Sequence, residues 1–213
     1  MLQAASVAPF LDFSGAPYSI RFLDVNTGVA VGCFCGFGAH DAVIFKTIDG
    51  GRNWTAQYFG ATDVFYSVVF PTPTIGYVVG GQGIILKTTD GGTHWAAQAS
   101  GTTRGLRSAY FLDATTGYIV GTGGTILKTT DGGISWQIQV SEITQTLHAV
   151  YFSDVALGYA VGDSGTVLYT SDGGTTWRTQ TSGTMQTLRS VDFPDVRTGY
   201  IVGEGGTILK TTS

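Results

Sequence analysis

Glutamate, proline and cysteine are scarce in this 213-residue chain, and charge is thin along its whole length. Its 11 basic residues are scattered and the formal net charge is -4, which argues against a nucleic-acid surface and a polybasic membrane patch. No apolar run approaches the length of a membrane span. The opening MLQAASVAPF lacks both a basic start and a long apolar core, so no signal peptide is visible, and export would require a leader already removed. Cys33 and Cys35 stand one residue apart, too close for an unstrained disulfide and too few for a metal site, and they read as two tolerated thiols. No segment carries a helical period, and no Pro/Ser-rich linker, low-complexity stretch or charge block divides the chain. A single domain spanning 1–213 follows.

What the chain has in abundance is glycine, 32 residues of it beside five prolines, with 43% hydrophobic content. That is too much turn chemistry for a helical protein and ample apolar material for a core. The glycines are ordered. Trp54, Trp95, Trp136 and Trp177 recur every 41 residues, closing TIDGGRNW, TTDGGTHW, TTDGGISW and TSDGGTTW. Phe22, Phe70, Phe111, Phe152 and Phe193 each precede by six residues the glycine that opens the next run. Between D-x-x-T-G, G-x-G-G and D-G-G lie four short runs of β-branched, apolar and aromatic residues, so each unit predicts a four-stranded antiparallel meander.

Such a sheet cannot bury both faces alone. Radial stacking of copies about 40 to 45 residues long is the pattern of a β-propeller, with an open β-solenoid as the alternative. Units begin near residues 18, 65, 106, 147 and 188, which predicts five blades. The chain stops at Ser213, in the place of Asp49, Asp90, Asp131 and Asp172, so the last blade lacks its outer strand. The segment Ser6 to Phe13 stands where that strand would fall, and residues 1–13 are expected to close the ring as a monomer. A fragment of a longer ring, or a partial ring completed by a second chain, is the competing expectation.

The octapeptide T-x-D-G-G-x-x-W resembles the Asp-box, or BNR repeat, of sialidases and many non-catalytic propellers. The longer phrase GYIVGTGGTILKTTDGGISW, Gly117 to Trp136, is similar to the repeats of the photosystem II assembly and stability factor family, over about residues 18–213. That resemblance implies a propeller that binds a protein partner, and an exported or lumenal location. Its matching residues build the blade. The Asp-box aspartates offer one carboxylate per turn, too little oxygen for calcium, and read as acceptors for turn amides. G-x-G-G runs straight into a strand and reads as a hairpin turn, not a phosphate loop. A sialidase needs three convergent arginines and a tyrosine–glutamate pair, whereas Glu142 and Glu204 are the only glutamates and neither has a tyrosine in its loop. His40, His94 and His148 have no serine or cysteine partner by spacing. No enzyme, cofactor or metal is expected.

The copies differ in a patterned way at the second position of strand one: Tyr18, Tyr66, Arg107, His148 and Arg189. By pseudo-symmetry these five would ring the mouth of the channel. Arg104 in the preceding loop, with Asp163 and Glu204 between strands two and three, would share that face. Tyrosine, arginine and histidine dominate recognition surfaces. The first blade also carries seven extra residues within CFCGFGAHD, Cys33 to Asp41, read as a loop whose Phe34 and Phe37 would meet a partner or lid a ligand. His40 and Asp41 with the cysteines are the alternative metal set. The expected function is a non-enzymatic protein- or peptide-binding scaffold of assembly-factor type. A carbohydrate-binding, lectin-like propeller and an engineered or excised repeat array are the alternatives.

Overall fold

The computed structural model describes residues 16–36, 39–59 and 64–212. They form five antiparallel sheets, each a meander in chain order, four of them four-stranded and the last three-stranded. The first holds β1 (Ala16–Phe22), β2 (Gly28–Gly36), β3 (Ala39–Thr47) and β4 (Thr55–Tyr58). The second holds β5 (Phe65–Val69), β6 (Gly76–Gly80), β7 (Ile85–Thr88) and β8 (Ala96–Gln98). The third holds β9 (Leu106–Phe111), β10 (Gly117–Gly121), β11 (Ile126–Thr129) and β12 (Gln137–Gln139). The fourth holds β13 (Leu147–Phe152), β14 (Gly158–Gly162), β15 (Val167–Thr170) and β16 (Arg178–Gln180), and the fifth β17 (Leu188–Asp192), β18 (Thr198–Gly203) and β19 (Ile208–Thr212). The expected sheet per repeat is therefore present, and among the described residues the fifth sheet has three strands. Residues 1–13, expected to supply that strand, lie outside the described residues.

The Asp-turns join strands three and four. In the third sheet Thr129 Oγ donates to Asp131 Oδ1 (2.8 Å) and accepts from the Gly133 amide (2.9 Å), while Asp131 Oδ1 accepts from the Ser135 amide (3.0 Å). The turn needs two successive left-handed residues, Gly132 (φ 67°) and Gly133 (φ 79°), which is why D-G-G is repeated. The tryptophan ending the octapeptide stands edge-on to its own sheet's phenylalanine, as in Phe152–Trp177 with centroids 5.9 Å apart.

Neighbouring sheets pack through one repeated junction. Tyr77, Val79 and Ile85 of the second sheet meet Leu106, Ala109, Ile119 and Leu127 of the third, all of them buried. Tyr118, Val120 and Ile126 meet Leu147, Val150, Ala160 and Leu168 in the same way. A polar staple accompanies the apolar contact. Tyr77 stacks on Phe111 (4.1 Å) and its hydroxyl and the Lys87 ammonium both donate to Gly132 O, at 2.7 and 2.6 Å. Tyr118 and Lys128 do the same to Gly173 O at 2.7 and 2.6 Å, with Tyr118 on Phe152 at 3.8 Å. Burial, then the nearby Asp131 or Asp172 charge, pushes the Tyr77 and Tyr118 hydroxyls up to about 12, so each stays a donor.

One expectation is corrected. The insertion in the first unit is no loop: β2 and β3 lengthen into a ladder pairing Cys33 with Ala42, Phe34 with Asp41, Cys35 with His40 and Gly36 with Ala39. Backbone pairing satisfies these amides and carbonyls, as an irregular loop would not. Cys33 is buried. Phe37 lies outside the described residues, as do the side chains of Phe34 and His40. No helix of the described residues is long and apolar enough to cross a membrane.

Candidate recognition face

The five positions singled out by their variation share a backbone device. In every sheet the pairing of strand one with strand two slips by one residue at its start: between Pro17 and Ser19, Phe65 and Ser67, Leu106 and Ser108, Leu147 and Ala149, and Leu188 and Ser190. The residue left out of register is Tyr18, Tyr66, Arg107, His148 or Arg189. Each is the extra residue of a β-bulge, the device by which a strand re-aims one side chain. The partner strand supplies Gly32, Gly80, Gly121, Gly162 or Gly203 at that point. A β-carbon there would run into the backbone carbonyl that precedes or begins strand one, at Ala16, Val64, Gly105, Thr146 or Thr187. Only glycine lets the two strands approach closely enough for the bulge.

The turns between strands two and three lie on the same end of the sheets. These are one-turn 3-10 segments at Gly81–Gly83, Thr122–Gly124, Asp163–Gly165 and Glu204–Gly206. Their first amides donate to the chain entering strand one, as Thr122 N does to Gly105 O at 2.8 Å and Asp163 N to Thr146 O at 2.9 Å.

The bulge side chains meet across blades. Tyr18 and Tyr66 stand edge to face with centroids 5.6 Å apart, and the Arg107 guanidinium lies 4.0 Å over the Tyr66 ring. His148 Nε2 bonds Asp163 Oδ1 at 2.7 Å, Arg189 pairs with Glu204, and Arg189 Nη1 approaches His148 Nε2 at 3.5 Å. Burial pushes the Asp163 carboxyl up, but the hydrogen bond and charge of His148, with the Thr146 and Thr187 hydroxyls, outweigh it and hold it below the usual range. Arg104 folds across Gly123 and also edges an open depression of about 720 Å³ along Gln82, Ser100 and Thr102.

The charges are not distributed evenly. In the fourth and fifth sheets the first turn residue is acidic and takes the bulge side chain, Asp163 bonding His148 and Glu204 pairing with Arg189. In the third, Thr122 takes that place, and among the described residues Arg107 makes no ion pair and its Nε is buried without an acceptor. Variation among the repeats marks these positions in the sequence, whereas the bulge is visible only in the pairing of the strands. Phe37 and the side chain of Phe34, expected to share in recognition, lie outside the described residues.

The aspartates elsewhere are occupied. Asn53, by its amide and then its side chain, holds Asp49 at about 2; the Ser135 hydroxyl and amide hold Asp131 at about 2, and those of Thr176 hold Asp172 at about 2. The His94 amide, then its ring at 2.6 Å, puts Asp90 well below the ordinary range. Among the described residues no three His, Cys, Asp or Glu side chains gather as a metal-binding group.

Meander sheets closed by Asp-box turns and joined face to face are the blades of a BNR-repeat β-propeller protein. The chain belongs to the photosynthesis system II assembly factor YCF48 family, whose model matches residues 52–137 and 138–213. Among solved structures it is similar to YCF48 bound to D1 peptide, with a TM-score of 0.53 and 18% identity over 95% of each chain. It is similar also to a GH74 enzyme of Niastella koreensis, TM-score 0.68 at 18% identity, covering 92% of this chain and 38% of that one. A GH74 xyloglucanase of Xanthomonas campestris matches with a TM-score of 0.59 at 14% identity, over 88% of this chain and 36% of its own. Identities this low speak for the fold alone. No curated protein is a significant match in sequence.

Proposed function

We propose that the chain is a non-enzymatic scaffold of assembly-factor type that binds a protein or peptide across the bulge face. The observation that carries this is the row Tyr18, Tyr66, Arg107, His148, Arg189, re-aimed by one bulge per blade, with Arg107 over the Tyr66 ring and in no ion pair among the described residues. A guanidinium held over an aromatic ring and in no ion pair among the described residues suits a carboxylate of an extended peptide, which it can grip with two parallel hydrogen bonds. The tyrosines add rigid apolar area next to it. Family membership supports the reading, as does the likeness to a family protein solved with a peptide.

Titration of a labelled D1 peptide by fluorescence polarisation tests it. Saturable binding that weakens at least ~10-fold in Arg107→Ala, a loss of about 1.4 kcal/mol, supports the proposal, with a smaller loss in Arg189→Ala because Glu204 already neutralises it. Binding that ignores both substitutions overturns the assignment of the face. The likeness to GH74 enzymes favours a glycan as the second reading. Hydrolysis or retention of xyloglucan by the same preparation, in place of peptide binding, would decide for it.

A further inference from the structure

The junction that joins successive sheets leaves one half of itself at each end of the array. On the fifth sheet, Tyr200, Val202 and Ile208 occupy the places of Tyr77, Val79 and Ile85, yet they are 40%, 43% and 73% exposed where those are buried. Lys210 stands in the place of Lys87, its ammonium 5.8 Å from the Tyr200 ring. On the first sheet, Ile20 and Phe22 occupy the places of Ala109 and Phe111 and are 57% and 44% exposed. Gly50, in the place of Gly132, is exposed too, whereas Gly132 is buried beneath its staple.

We propose that the two ends are one docking interface, occupied by a second copy of this chain packed head to tail. The fifth sheet of one copy would seat on the first sheet of the next, with Tyr200 stacking on Phe22 and Tyr200 and Lys210 donating to Gly50 O. The argument is continuity: the same contact, donor and acceptor included, already stands twice within the chain, at Gly132 and Gly173. A single chain could bring its own ends together only by bending its intervening junctions, whose side chains are buried and close-packed. A second copy needs no such deformation, and a heterologous contact of this kind joins unlike faces of identical chains. Filling the missing outer strand of the fifth sheet would pair the β19 edge and still leave the Tyr200 face uncovered.

Light scattering across a concentration series, on the full chain, tests this. The wild-type mass should climb above that of one chain, while Ile20→Glu and Val202→Glu, both at exposed positions, should each stay at one chain. An equal mixture of the two variants retains one good face on each partner and should form a two-chain species and nothing larger. The milder pair Tyr200→Phe with Lys210→Gln should weaken association about 10-fold with the melting temperature unchanged. A wild type that stays single at every concentration overturns the proposal. So do face variants that associate as the wild type does, and a single-chain species whose melting falls on Ile20→Glu or Val202→Glu, which would mean that the chain's own ends meet.

Discussion

Gly121 faces the Arg107 bulge with no room for a methyl group, because a β-carbon there would strike the carbonyl of Gly105. Gly121→Ala should therefore cost ~1–3 kcal/mol, typical of forcing extra atoms into a packed site, and should move Arg107 off the Tyr66 ring. Chemical denaturation reads the first effect and peptide titration the second; a variant as stable and as competent as wild type would remove the steric basis of the bulge. The five positions proposed as the face stand out in the sequence, because side chains that only fold a repeat have no reason to alternate among tyrosine, arginine and histidine. The bulge that they share does not. A bulge is a property of two strands, one residue against two, and no single strand's sequence displays it. Likewise the acid that bonds His148 or pairs with Arg189, and the threonine in its place opposite Arg107, lie 15 residues further along and meet their partners only once the turn is built.

At the scale of the element, the Asp-turns set the response to acid. Three of the four turn carboxyls titrate at about 2 in the folded protein, and the fourth below the ordinary range, against an ordinary value of 3.8. A depressed carboxyl stabilises the fold fully above its unfolded value and loses that contribution as pH falls through the folded one. Melting temperature should thus be flat down to about pH 4 and fall progressively toward pH 2, and Asp131→Asn should flatten part of that slope while lowering the plateau. A melting temperature that holds steady to pH 2 would contradict the role given to these turns. The turns themselves were readable, since D-G-G demands two left-handed residues. The lengthened β2–β3 ladder was not: seven extra residues rich in glycine carry no pattern that separates a paired extension from a loop, and the backbone hydrogen bonds decide it.

At the scale of the whole molecule, stability is a series of similar junctions, and among the described residues the sheets at the ends pack closely on one neighbour each. Hydrogen exchange followed by mass spectrometry, at dilution where chains are separate, should find β17 to β19 exchanging faster than β9 to β11, which are flanked on both sides. Uniform protection across the five sheets would show that the last is shielded in some other way. The junction was only half visible in sequence: Tyr and Lys recur at fixed places, but that both donate to one glycine carbonyl of the following unit depends on how far apart two sheets stand. Because that handshake uses the same groups at two successive seams, a gene encoding it can gain or lose the 41-residue unit between them by unequal recombination and still write a chain whose flanking seams fit. Array length is thereby free to drift, while the bulge residue of each unit is rewritten on its own.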